Sequence, residues 1–162
     1  MLHHRKRNRM IGFDYSSNAI YFVTSCVKNR IHFFGEIVNG KMVYTDAGII
    51  ANEQWDWLIN QYPYINSHSF IVMPNHIHAV LEINSNFISD DSIKIKSLSE
   101  LMGAYKTTSA KRIRLAGCAY FQWQRSFHDH IIKSGDAYRN IMNYIETNDV
   151  RWKEDCFHTS IS

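Results

Sequence analysis

Residues 72–83, Val-Met-Pro-Asn-His-Ile-His-Ala-Val-Leu-Glu-Ile, limit the folds open to this chain more than any other stretch. β-forming residues run into Pro74-Asn75 and out again, so the stretch predicts the end of one strand, a turn and a second strand. The apolar runs are short and rich in β-branched residues, which favours strand over helix. Side chains alternate faces along a strand, so Ile77 points one way and His76 and His78 the other. Their roots then stand roughly 6.5–7 Å apart, from where two imidazoles can converge on one cation. Two half-buried histidines on a sheet face are the plainer reading of the same residues.

Around that hairpin the chain supplies a small sandwich. Residues 19–27 are rich in β-formers and predict a first main strand. Asn39-Gly40 sits between two short apolar pairs, a strong hairpin signal. Thr45 or Asp46 can cap a helix to about Gln61, with Ile49, Ile50, Trp55 and Leu58 near helical spacing and Pro63 as its stop. Residues 66–73 and 76–83 are the second and third main strands, and the polar residues 84–96 a loop. Ser97 and Glu100 make a capping box that opens a helix to about Ala116, with Leu98, Leu101, Met102 and Tyr105 inward and Gly117 just beyond. A fourth strand is expected near residues 127–133, and Ser134 or Asp136 can cap a last helix to about Asn148. Without the small hairpin the order is β-α-β-β-α-β. With right-handed crossovers it predicts an α+β, ferredoxin-like split βαβ sandwich. Its antiparallel sheet would run four-one-three-two, with the histidine strand central and helices on one face. The other face is left for a ligand or for the last, tyrosine-bearing helix.

A length of 162 residues suits one domain. We expect a basic arm over residues 1–18, a single domain over 19–152, and a tail over 153–162, with Trp152 packed back on the body. Cys26, Cys118 and Cys156 are odd in number and widely spaced, against both a disulfide framework and a zinc–thiolate knuckle. No apolar signal core follows the basic start and no run approaches the ~20 apolar residues of a membrane span, so a cytoplasmic setting is expected. A net charge of +3 is too mild to imply nucleic acid by itself, so that reading has to come from particular residues.

On the last helix Tyr138, Ile141, Met142 and Ile145 form an apolar stripe. Beside it Asn140, Tyr144 and Asn148 fall four apart, on one face. Packing, with the hydroxyl at the rim, is the ordinary use of such a tyrosine. A second His-x-His, His128 and His130, falls on an edge strand two strands from the first. At ~4.8 Å per strand that is roughly 10 Å, too far for one metal shell. This pair suits contact with a phosphate, tethering of the last helix, or a purely structural part. Lys106, Lys111, Arg112 and Arg114 share the outer face of the second helix, which reads as a solvated basic face.

The histidine–hydrophobe–histidine strand after Met73-Pro74-Asn75 resembles that of the HUH single-tyrosine transposases. So does a tyrosine with an amide residue four later on the final helix, Tyr144-Ile-Glu-Thr-Asn148. The run Phe121-Gln-Trp-Gln-Arg-Ser-Phe-His-Asp-His-Ile-Ile-Lys133 and the pattern Ser97-Leu-x-x-Leu-x-x-x-Tyr-Lys106 are similar to the branch associated with repetitive extragenic palindromes. The likeness spans residues 20–152. One departure stands at Asp149, where that branch has proline directly after the asparagine.

The resemblance implies a metal-dependent DNA transposase and single-strand endonuclease. His76 and His78 would hold a divalent cation, Mg²⁺ or Mn²⁺, with Asn148 as third ligand and Tyr144 as nucleophile. These ligands are uncharged, so the cation keeps its charge for a phosphate oxygen. Attack by the phenol gives a 5′-phosphotyrosine and a free 3′-hydroxyl, and the reverse step rejoins a strand. The partner would be single-stranded DNA beside a hairpin, met by Lys106, Arg112, Arg125, His130 and the basic arm. The acting form would be a monomer or homodimer. Two alternatives stay open from the residues alone. One is a non-catalytic or domesticated single-stranded nucleic-acid-binding protein on the same sheet. The other is a metal-dependent hydrolase that leaves no covalent adduct.

Overall fold

The computed structural model describes residues 10–154. In chain order these form β1 (Ala19–Cys26), β2 (Gly35–Val38), β3 (Lys41–Tyr44), α1 (Asp46–Gln61), β4 (Ile65–Met73), β5 (His76–Ile83), α2 (Leu98–Leu115), β6 (His128–Ile132) and α3 (Gly135–Glu146). The main sheet is antiparallel and ordered β4-β5-β1-β6, which is the expected four-one-three-two order. β2 and β3 pair separately across Asn39-Gly40.

One face of the sheet carries the core. Tyr21 and Val23 on β1, and Ile77, Ala79, Leu81 and Ile83 on β5, are fully buried in one cluster with side chains of α1 and α2. α1 begins where the Thr45 hydroxyl accepts from the Gly48 amide, and it turns Ala47, Ala51, Trp55 and Leu58 inward. α2 begins at the expected box, with Ser97 and Glu100 capping each other's backbone, and buries Leu98, Leu101, Met102, Tyr105 and Ile113. The Tyr105 hydroxyl, fully buried, donates to the Ala51 carbonyl at 2.9 Å and ties the two helices together. Each large apolar side chain so buried contributes about 1.5–3 kcal/mol. The β2–β3 hairpin is held close to α1. A Cβ on Gly48 would lie 2.2 Å from the Phe34 carbonyl oxygen, so only glycine fits there.

The opposite face carries the chemistry-bearing residues. Cross-strand register sets His78 opposite Thr24 and Thr24 opposite His128, and sets His76 opposite Cys26 and Phe22 opposite His130. All therefore stand on one face. α3 lies over this face, with Tyr138 near β4 and Tyr144 against β1 and β5. It ends at Glu146, two residues short of the expected end, and Asn148 sits in the turn that follows. Of the arm expected over residues 1–18, residues 1–9 lie outside the described residues and the remainder is not all exposed. Phe13 packs edge to face on Tyr15 and Tyr21, Tyr15 stacks on Tyr21, and the Tyr15 carbonyl accepts from the Leu98 amide. Most of the tail expected over residues 153–162 also lies outside the described residues. Among the described residues no helix is long and apolar enough to cross a membrane.

Candidate active site

Burial and local hydrogen bonds fix the two histidines of β5. His76 and His78 are 0% and 1% exposed, and their Nε2 atoms are 3.0 Å apart. Each ring is held from behind through Nδ1. His76 Nδ1–H donates to Asn75 Oδ1 at 2.7 Å, and Asn75 in turn donates from Nδ2 to the Arg30 carbonyl at 3.3 Å, which sets the direction of its amide. A carbonyl oxygen only accepts, so the His76 proton is on Nδ1 and its Nε2 is a lone pair. His78 Nδ1 meets the Thr24 hydroxyl at 2.7 Å. That hydroxyl can rotate. As donor to Nδ1 it leaves Nε2–H of His78 to bond His76. As acceptor from Nδ1–H it turns the second Nε2 lone pair towards the first.

Electrostatics favour the uncharged state of His76. Burial holds the His76 pKa well below the ordinary 6.5, and nearby His78, Arg30 and His32 add to the shift. At neutral pH His76 is therefore uncharged, as a metal ligand has to be.

The segment from α3 onward passes over both rings. Tyr144 lies 5.3 Å from His78, centroid to centroid, and 6.3 Å from Phe22, which itself stacks on His78 at 5.3 Å. Trp152, in a 3₁₀ turn, stacks over His76 at 5.9 Å and touches His32. Asn148 lies between those two aromatics in sequence and is 1% exposed. A cavity of about 320 Å³ is lined by Phe22, Thr24, His78, His128, His130 and Tyr144. The second His-x-His is thus two strands from the first, as expected, yet opens on the same cavity. Among the described residues no three His, Cys, Asp or Glu side chains cluster as a metal site, and Asn148 is an amide outside that class.

The expected phosphate contacts divide. Lys106 and Arg125 share a groove of about 390 Å³ with Arg114, Gln122 and Trp123. Lys106 Nζ donates to the Gln124 carbonyl and Arg114 Nε to the Phe121 carbonyl at 2.8 Å, so residues 121–125 hold both cations in place. Arg112 is exposed on α2 and does not line this groove. The groove reaches the sheet where Gln124 N donates to the Cys26 carbonyl, at the end of β1 beside His76. Thr24, Trp152 and Arg114 are site or groove residues that residue type alone did not mark. Strand register would have found Thr24, and helical spacing from Lys106 and Ala110 would have found Arg114.

No family model matches the chain. It is 28% identical over 167 residues to an uncharacterized protein of Haemophilus influenzae, covering 95% of this chain and 93% of that one. A second protein of the same organism, provisionally described as a REP-associated tyrosine transposase, is 23% identical over 168 residues, covering 91% of this chain and 85% of the relative. The solved structure of a REP-associated tyrosine transposase bound to a REP hairpin superposes with a TM-score of 0.64 at 19% identity, covering 89% of this chain and 74% of the other. Over nearly its whole length the chain is thus similar in sequence to that provisionally described transposase, and in fold to the solved one.

Proposed function

We propose that the protein is a DNA strand transferase that cuts and rejoins single-stranded DNA beside a hairpin, with Tyr144 as nucleophile and a divalent cation, Mg²⁺ or Mn²⁺, on His76 and His78. The observation that carries this reading is the closeness of Tyr144 to His78 in one chain, 5.3 Å between ring centroids, beside two converging Nε2 atoms. Adjacent ligands about 2.1 Å from an octahedral cation stand about 3.0 Å apart. The spacing of the two imidazoles suits such a cation as they stand. The buried amide of Asn148 is the candidate third ligand. A bound divalent cation supplies neutralisation of a non-bridging phosphate oxygen.

The chain's own residues do the rest. Asn75 and Thr24 orient the imidazoles. Trp152 and Phe22 cover them and keep water from their outer faces. Tyr144 Oη forms a bond to phosphorus as the P–O3′ bond breaks. The phenol gives up one proton and the departing 3′-oxygen takes one, so a phosphodiester is exchanged for a phosphodiester and the step can run backwards. Lys106, Arg114 and Arg125 give the DNA backbone a basic groove, and His130 stands at the mouth of the cavity. The relative solved with a REP hairpin supports a hairpin as the partner. Because Tyr144 meets His78 of its own chain, the reading has a monomer acting on its own DNA.

The test is a denaturing gel with a labelled single-stranded hairpin oligonucleotide. The intact protein should form a covalent adduct that depends on Mn²⁺ or Mg²⁺. Tyr144→Phe should bind the DNA and form none. Full cleavage by that variant removes Tyr144 from the mechanism, and cleavage without any adduct favours a hydrolase.

A further inference from the structure

The other end of α3 carries a second tyrosine on a hydrogen-bonded chain that the reaction above does not use. The chain begins with an irregularity in β4. Pairing with β5 slips between Ser67 and Ser69, so one extra residue is inserted there. Strict alternation would put Ser67 and Phe70 on opposite faces. With the extra residue both face α1, where Trp55 Nε1–H donates to Ser67 Oγ at 2.9 Å and the Trp55 ring stacks on Phe70 at 4.7 Å and 5°. Trp55 therefore grips both sides of the bulge, and the bulge turns His68 towards Glu82 and α3.

His68 is then occupied at both nitrogens. Its Nε2–H donates to Glu82 Oε2 at 2.7 Å, and the other Glu82 oxygen accepts from Asn84 Nδ2 at 3.1 Å. The other nitrogen of His68, Nδ1, meets the Tyr138 hydroxyl at 2.9 Å. The ring pair meets edge to face at 5.5 Å. Tyr138 precedes Tyr144 by six residues, about 9 Å along the helix. Apolar packing alone holds α3 loosely. Ile145 is its buried side chain, whereas Tyr138, Ile141, Met142 and Tyr144 are only half-buried. Apolar contact is non-directional, so it fixes a helix's rotation poorly, while a hydrogen bond to a ring locked at both nitrogens fixes it well.

We infer that Glu82, His68 and Tyr138 are positioning residues: an anchor on β4 and β5 that sets the rotation and reach of α3, and so places the Tyr144 phenol over the histidine pair. This rests on the strand-transfer reading proposed above. Misplacing a reacting group by about 1 Å can cost about a hundredfold in rate.

The experiment measures adduct formation by the full-length protein with Mn²⁺ and the hairpin oligonucleotide, at saturating DNA, alongside DNA affinity and thermal midpoint. Tyr138→Phe keeps the ring and removes the one hydroxyl. It should form adduct at least tenfold more slowly, with DNA affinity within twofold of wild type and the fold intact. His68→Ala should lose at least as much. His68→Asn places an amide oxygen near the Nδ1 position and should recover part of that rate, but not when combined with Tyr138→Phe. A contribution to folding alone would give no such rescue and no split between rate and binding. If wild type forms adduct and Tyr138→Phe matches it, or loses rate only as it loses DNA, the anchor is overturned while the transferase reading stands. If wild type forms no adduct at all, the transferase reading falls and takes the anchor with it.

Discussion

Thr24→Val is the sharpest perturbation of the histidine pair, because it changes one hydroxyl and leaves the shape nearly unchanged. Thr24 is 3% exposed and His78 1%, so water does not replace the lost partner without rearrangement. The 2.7 Å contact to Nδ1 disappears, and with it the choice between donating and accepting that lets His78 present Nε2–H or a lone pair. Leaving a buried ring nitrogen unsatisfied costs about 1–3 kcal/mol. Partners of this kind behind a metal-bound histidine are worth about 10- to 100-fold in metal affinity, or about 1.4–2.7 kcal/mol. We therefore expect Mn²⁺ to bind Thr24→Val 10- to 100-fold more weakly by calorimetry, with a parallel rise in the Mn²⁺ needed for half-maximal adduct. Thr24→Ser, which restores the hydroxyl, should sit close to wild type. Unchanged Mn²⁺ affinity in Thr24→Val, with His76→Ala also without effect, would refute the assignment of this pair as the metal site.

Two further outcomes test the electrostatics. His76 is buried with its pKa held below 6.5, so below that pH the unfolded chain binds the proton that the folded chain refuses. Stability should be full above pH 6.5 and fall as pH drops below it, by at most about 1.4 kcal/mol per pH unit from this group. Urea midpoints at pH 7, 6 and 5 should decline, and His76→Gln should flatten the decline; an equal slope in the variant contradicts the reading. In the groove, Lys106→Ala and Arg125→Ala should each lower the salt dependence of DNA binding by about 0.7 per lost contact to a single strand, or about 0.9 to a duplex stem. Arg112→Ala, outside the groove, should leave that slope alone, and a loss equal to that of Lys106→Ala would put the DNA on the outer face of α2 instead.

The parts of this fold legible in the sequence are those fixed locally. The Pro74-Asn75 turn, the Ser97–Glu100 box and the Thr45 cap are each decided by a few neighbouring residues, and each stands where their chemistry puts it. Given those elements, crossover handedness leaves few strand orders, and the observed one follows. What escaped was settled between distant segments. That Thr24 backs His78 depends on a register between residues 54 apart. The bulge at His68 has no signature of composition; it exists because Trp55 satisfies Ser67 and Phe70 together. Phe13 and Tyr15 read as part of a basic arm, yet they are drawn down by the Tyr21 ring. Helical spacing from Lys106 sets Arg114 on the groove side of α2 and Arg112 away from it, and the carbonyl of Phe121, from a separate segment, then holds Arg114 there.

The two faces of the sheet divide the work of folding from the work proposed for the site. The face under α1 and α2 holds most of the fully buried apolar side chains, and there substitutions that leave cavities typically cost 2–5 kcal/mol. The face under α3 is covered by a helix with one buried side chain, by Trp152, by the Tyr138 hydrogen bond to His68 and by the Tyr144 ring against His78. Those contacts come late in the chain order, after all four strands of the sheet that receives them. Lesions on α3 should therefore move Tyr144 before they unfold the protein. The same division explains why polar side chains such as Thr24 and His78 can be buried there: they satisfy each other on the lightly packed face, outside the apolar cluster that pays for the fold.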